Sequence, residues 1–175
     1  MDTIHNIYIV GFMGTGKTSA GRLVAGRLGL EFVDMDTLIT EREKRSIPDI
    51  FRDSGEPYFR ALEKKIVGEL TQKKGVVVSC GGGTFVDPGN MAVLKRTGTV
   101  VCLTSSPEMI LERTKRYVHR PLLQVADPLG RIRELLRERR SSYGQAHHLI
   151  DADRLSVEET AEAILKAVQE GGTRR

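Results

Sequence analysis

Tryptophan is missing from this chain, and aromatic residues of all kinds make up only 5% of it. A nucleic-acid module that stacks bases on aromatic rings is therefore disfavoured, and no aromatic RNA-binding signature appears. Cysteine occurs twice, at Cys80 and Cys102. Each closes a run of valines, with no His or Cys neighbour at ligand spacing, which argues against a thiolate metal site or a disulfide framework. Buried strand thiols in a reducing compartment are expected instead. No apolar run approaches the ~20 residues needed to cross a bilayer, and MDTIHNIYIVG has neither the basic start nor the apolar stretch of a signal peptide. No membrane partner and a cytoplasmic location are expected. Internal repeats, low-complexity tracts and linkers are also lacking, so the 175 residues read as one domain spanning 1–175.

An excess of positive charge is present, but it is modest. The formal net charge is +4 and the pI is near 9.2, with basic clusters at 113–120 (RTKRYVHR) and 131–140 (RIRELLRERR). Such a balance suits nucleic acid or an enzyme holding a polyanionic nucleotide. Without stacking aromatics the second is favoured, and nucleic acid is not an expected partner.

What the chain does contain is GFMGTGKT at residues 11–18, a full match to G-x-x-x-x-G-K-[ST]. It follows the apolar run HNIYIV and precedes a helical stripe of Ala20, Leu23, Val24 and Leu28. This is the setting of a phosphate-binding P-loop. Its glycines let successive N–H groups turn toward an anion, and the new helix adds its positive end. Lys17 can reach the outer phosphates, and Thr18 can offer its hydroxyl oxygen to Mg²⁺.

Strand-like runs recur at 5–10, 31–35, 76–80, 99–104 and 148–152, separated by helical patterns. The alternation predicts an α/β fold: a parallel sheet of about five strands with helices on both faces. Asp87-Pro88, Ser106-Pro107 and Asp127-Pro128 each set a capping side chain before a first-turn proline, and Ser156 with Glu159 forms a capping box. The last helix carries Val157, Ala161, Ile164, Leu165 and Val168 as a packing face. Residues 36–75 are too long for one crossover helix and read as two or three, including SIPDIF and EPYFRALEKKIVGEL. A helix ends near Lys115, and the basic stretch that follows, up to Pro128, reads either as a mobile lid or as an ordinary exposed loop.

Two candidate strands lack the acid that commonly supports Mg²⁺, since VVVSC runs into GGG and VVCL into TSS. EFVDMD supplies it: Asp34 and Asp36, two apart in extended chain, would face one way. One carboxylate could hold metal-bound water while the other takes a proton from an attacking hydroxyl. Alternatively both cap a helix over 37–45. The glycines Gly81, Gly82 and Gly83 either remove side chains where backbone would approach a small molecule or form a plain turn, and their place at the same sheet edge as the P-loop favours the first. Arg60 and Arg139 could form guanidinium forks for a carboxylate, although spacing alone does not separate them from solvated surface charges.

Several separated segments, in order, resemble the shikimate kinase family: GFMGTGKT and SAGRLVAGRLGLEFVDMD, SIPDIFRDSGEPYFRALE, VVVSCGGGT, RPLL and RERRSSY. The resemblance runs from about residue 5 to 168. It implies a three-layer P-loop kinase fold like that of nucleoside monophosphate kinases, and ATP-dependent phosphorylation of the 3-hydroxyl of shikimate in aromatic amino-acid biosynthesis. It further implies a substrate-binding insertion at about 36–75 and a lid at about 113–127. By the same resemblance, Gly14, Thr15, Gly16, Lys17, Thr18 and Ser19 cradle ATP, with Thr18 on Mg²⁺ and Asp34 supporting the metal through water. Asp36, Arg60, Gly81, Gly82, Gly83 and Arg139 bind shikimate, with Asp36 also the base. Arg120 is the lid arginine that reaches the phosphates, which makes Asp36, Lys17 and Arg120 the catalytic set, and Arg113 and Arg154 contact the adenine side. Val157 and Ser141 stand where many relatives have proline. A monomer is expected. The alternatives are another small-molecule P-loop kinase, acting on gluconate or a nucleotide, and a nucleotide-gated binding module without catalysis.

Overall fold

The structure is a computed structural model and describes residues 5–115 and 123–172. Five strands form the sheet: β1 (Asn6–Gly11), β2 (Glu31–Asp34), β3 (Val76–Ser79), β4 (Gly98–Thr104) and β5 (His148–Asp151). All pair in parallel, in the order β2-β3-β1-β4-β5. Each expected strand is present to within a residue or so at its ends. β1 and β3 are buried along their whole length, as strands covered on both faces must be, and they read as continuous apolar runs.

Alternate side chains of these strands feed two cores. Ile7, Ile9, Val77, Val101 and Leu103 face α1 (Lys17–Leu28) and α7 (Val157–Gly172), meeting Ala20, Val24, Ala161 and Ile164. Tyr8, Val10, Val78, Val100 and Cys102 face the other way, toward α2 (Met35–Glu43), α3 (Ile47–Leu70), α4 (Pro88–Thr97), α5 (Pro107–Thr114) and α6 (Pro128–Tyr143). Two residues of the expected packing stripes lie elsewhere. Leu28, beside the Gly29 cap, is 39% exposed, and Val157 at the start of α7 is 40% exposed. Cys80 and Cys102 are free buried thiols. Burial raises both pKa values, that of Cys102 to about 12, so neither is a nucleophile near neutrality.

The caps expected from the sequence are present. Asp87, Ser106 and Asp127 accept from Asn90, Met109 and Gly130 N–H, and Ser156 and Glu159 exchange the reciprocal bonds of a capping box. Ser46 also caps α3, accepting from the Asp49 N–H. α3 itself is two helices joined at a kink, broken where Gly55 sits at φ 82° and ψ 167° and where Pro57 removes a donor. The break falls between the two segments anticipated within 36–75.

One local expectation is corrected. EFVDMD is not extended through Asp36. β2 stops at Asp34, whose carboxylate accepts the Thr37 N–H at 3.0 Å, so Asp34 is the cap and Asp36 lies in the first turn of α2. The helix therefore begins at Met35 and not at residue 37.

Candidate active site

The turn after β1 is built for an anion. Gly14 and Gly16 hold φ of 76° and 91°, a region that favours glycine. Gly16 is the N-cap of α1, no side chain caps the helix, and its first turn carries no acidic residue. Among the described residues the helix thus keeps its positive end and the N–H groups of Thr18 and Ser19 for a ligand. Lys17, 9% exposed, donates to the carbonyls of Gly11 at 2.9 Å and Phe12 at 2.8 Å, and Thr15 donates to Phe12 O at 2.8 Å. These bonds turn the loop carbonyls toward the protein.

The acidic end of β2 faces this loop. Thr18 donates to the Asp34 carboxylate at 2.6 Å, and the Ser79 hydroxyl lies 3.3 Å from that of Thr18. Burial tends to raise the Asp34 pKa, but hydrogen bonds from Thr18, Thr37 and Ser79 outweigh it and hold the carboxyl below its ordinary value. Ser79 pairs in register with Asp34 across β2 and β3. Among the described residues no cluster of three or more His, Cys, Asp or Glu forms a cage. The donors present, one carboxylate with neighbouring hydroxyls beside a phosphate loop, are the hard oxygen set that suits Mg²⁺, which retains waters and takes further ligands from phosphate.

Three cavities lie in a row. The middle one, about 130 Å³, is lined by the P-loop with Thr18, Asp34, Ser79 and Cys80. On one side a cavity of about 310 Å³ is lined by the polar Arg60, Glu63, Arg139 and Gly81–Gly83 and by the apolar Ile47, Phe51 and Phe59. Met13, Asp36 and Gly82 line both of these spaces. On the other side a cavity of about 400 Å³ runs past Gly14, Gly16 and Ser19 to Arg113, Leu155 and Val157.

The two arginines of the 310 Å³ cavity differ. Arg60 is paired with Glu56 and Glu63, and Glu63 is itself buried and accepts from Thr84 Oγ1 at 2.7 Å. Burial raises the Glu63 pKa against the opposing pull of Arg60. Arg139, 7% exposed, donates to Gly82 O at 3.3 Å and lies 5.3 Å from the Phe12 ring centroid. No carboxylate among the described residues forms an ion pair with it. A buried cation in that state is costly unless an anion joins it.

On the far side Arg113 lines the 400 Å³ cavity while its guanidinium donates to Gly14 O, Ser105 Oγ and Ala152 O, tying three segments together. Arg154 is exposed and is not among the lining residues, whereas Ala152 and Leu155 beside it are. Arg120, with Pro121 and Leu122 of RPLL, lies outside the described residues.

The family model for shikimate kinase matches residues 13–169. The chain belongs to the shikimate kinase family. It is 45% identical to the shikimate kinase of Thermodesulfovibrio yellowstonii over 161 residues, covering 92% of this chain and 93% of that one. It is 48% identical to that of Thermus thermophilus, covering 91% and 88%. A shikimate kinase from Acinetobacter baumannii, solved in complex with shikimate, superposes with a TM-score of 0.93 at 40% identity, covering 97% of this chain and 96% of that one. A gluconokinase from Sinorhizobium meliloti, at 20% identity and a TM-score of 0.64, shares the fold alone.

Within this shikimate kinase framework, five side chains at the site were not singled out from sequence. Ser79 could have been found from its register beside Asp34, and Glu63 from its i,i+3 spacing to Arg60. Thr84 and the apolar pair Phe51 and Phe59, whose ring centroids are 4.9 Å apart, carried no local signal.

Proposed function

We propose that this chain transfers the γ-phosphoryl group of ATP to the 3-hydroxyl of shikimate, with the phosphates in the 130 Å³ cavity and shikimate in the 310 Å³ cavity. The observation that carries this reading is the shared wall of Met13, Asp36 and Gly82, across which a group bound on one side can meet an acceptor on the other. ATP-dependent phosphorylation of shikimate is the activity of the family to which the chain belongs.

In this reading Lys17 leaves the Gly11 and Phe12 carbonyls to hold the outer phosphates, alongside the open N–H groups of Gly14, Thr15, Gly16, Thr18 and Ser19. Asp36 orients the acceptor hydroxyl and takes its proton. Arg139, with no counter-ion among the described residues, receives the shikimate carboxylate, and Arg60, braced by Glu56 and Glu63, completes the fork. Ile47, Phe51 and Phe59 lie against the apolar part of the ring. Arg113 borders the adenine, while the sequence-based roles of Arg120 at the phosphates and Arg154 near the base stay part of the proposal. Thr18 and, through water, Asp34 would hold Mg²⁺, which when bound neutralises developing charge on the β- and γ-phosphates. A single-domain monomer with a substrate-binding insertion at about 36–75 and a lid at about 113–127 completes the reading. No helix among the described residues is long and apolar enough to cross a membrane.

ADP release against a panel of hydroxy acids and nucleoside monophosphates tests the reading. Shikimate should be turned over, and gluconate and AMP should not. Arg139→Ala should raise the KM for shikimate by about 100-fold, the scale expected for truncating one partner of a buried charged pair, with the KM for ATP little changed. Unchanged shikimate affinity would remove Arg139 from the site.

A further inference from the structure

The three glycines at the end of β3 are held very differently from one another. Gly81 O accepts from Thr84 N–H at 3.1 Å and Gly83 O from Val86 N–H at 3.1 Å, both within the short 3₁₀ turn Thr84–Val86. Gly82 O takes no backbone donor among the described residues. Its partners come from α6: the Tyr143 hydroxyl at 2.6 Å and Arg139 Nη1 at 3.3 Å. Positions 139 and 143 are four apart, so both side chains leave the same face of the helix. Tyr143 is only 5% exposed.

We infer that Tyr143 is a positioning residue for phosphoryl transfer: its hydroxyl fixes the Gly82–Gly83 peptide plane in the wall shared by the phosphate and acceptor cavities. A glycine triplet has little steric resistance to peptide rotation, so the orientation of its middle carbonyl depends on what binds it. The shorter bond is the phenol's. By holding the carbonyl, Tyr143 leaves the remaining N–H groups of Arg139 for the acceptor carboxylate. Burial pushes the phenol pKa up to about 12, so the hydroxyl remains a donor throughout the working range and does not exchange a proton with substrate. The inference rests on the functional reading above, because the wall matters only if a group crosses it.

Tyr143→Phe keeps the ring and its packing while deleting the one donor. Three measurements on the full chain decide the matter. In ligand-free protein, the amide ¹H–¹⁵N resonances of Gly82 and Gly83 should shift. In steady-state kinetics kcat should fall by about 10- to 100-fold, the range expected when a reacting geometry is displaced by up to about an ångström, with the KM for ATP within twofold. Across pH 6–9 the kcat profiles of wild type and variant should run parallel. A kcat within twofold of wild type in a folded variant, a rise in shikimate KM alone, or the loss of one limb of the pH profile would each overturn the positioning role. Failure of the wild type to phosphorylate shikimate would instead overturn the functional reading, and the amide shifts would still report whether the phenol orients the peptide.

Discussion

Glycine serves different ends at neighbouring positions. A Cβ on Gly81 would come within 2.6 Å of Glu63 Oε1, and one on Gly83 within 2.5 Å of Arg60 Nη1, so a side chain at either position would have to displace Glu63 or Arg60. At Gly82 the nearest atoms are Arg139 Nη1 and the Met13 backbone N, each at 3.6 Å, ordinary contact distances. Nor does Gly82 have the positive φ that would make alanine strained. The fold itself tolerates a methyl group there, and what it would obstruct is the passage between the two cavities. Gly82→Ala should therefore leave Tm unchanged or raise it by about 1–4 °C, through loss of unfolded-state entropy, while lowering kcat at least about 10-fold. Differential scanning fluorimetry with ADP-release kinetics on the same preparation checks both halves. Loss of fold would show that the space is structural.

Among the elements, helix starts were the most legible feature, because a capping side chain and its N–H donor lie three residues apart. Asp87, Ser106, Asp127 and Ser156 all do what their sequence context implied. α4 carries none of the proposed ligand contacts, which makes Asp87 a clean test of cap energetics. Asp87→Ala should cost about 1 kcal/mol and lower Tm by roughly 2–4 °C, with kcat and both KM values unchanged. Urea unfolding and steady-state kinetics decide it. The end of β2 was harder to read. Asp34 can be the last residue of a strand or the cap of a helix, and both patterns fit EFVDMD. Asp34 is both, ending β2 while its carboxylate accepts the Thr37 N–H, which sets Asp36 in the first turn of a helix rather than two residues along a strand. Both acids still border the 130 Å³ cavity.

At the scale of the molecule, the sheet order explains why the site forms where it does. β1 lies between β3 and β4, so the chain leaves it at the point where successive connections run to opposite sides, and ligands bind at such a crevice beyond the strand ends. The same gathering ties stability to pH. Asp34 has a folded-state pKa below its ordinary 3.8. Its contribution is therefore present above pH 3.8 and is lost as pH falls through the folded value. Glu63 behaves oppositely: its pKa is raised from 4.5, so its contribution declines as pH rises from 4.5 toward the folded value. The Tm advantage of wild type over Asp34→Asn should shrink as pH is lowered from 5 to 3, while that over Glu63→Gln should grow as pH is lowered toward 4.5. Melting curves at half-unit intervals check both signs.

Sequence alone determined the phosphate loop, the strands and caps, and the candidate acids and arginines, because each depends on residue type at short spacing. Only the folded chain decided which candidates meet. Thr18 reaches Asp34 across 16 positions, and Tyr143 reaches Gly82 across 61. It also decided that Arg139 is buried with no carboxylate partner among the described residues while Arg60 has two, and that Val157 borders a cavity instead of the core. The physical reason is range: propensity and capping act within a turn or so of the backbone, whereas burial and hydrogen-bond partners are settled by how distant segments pack.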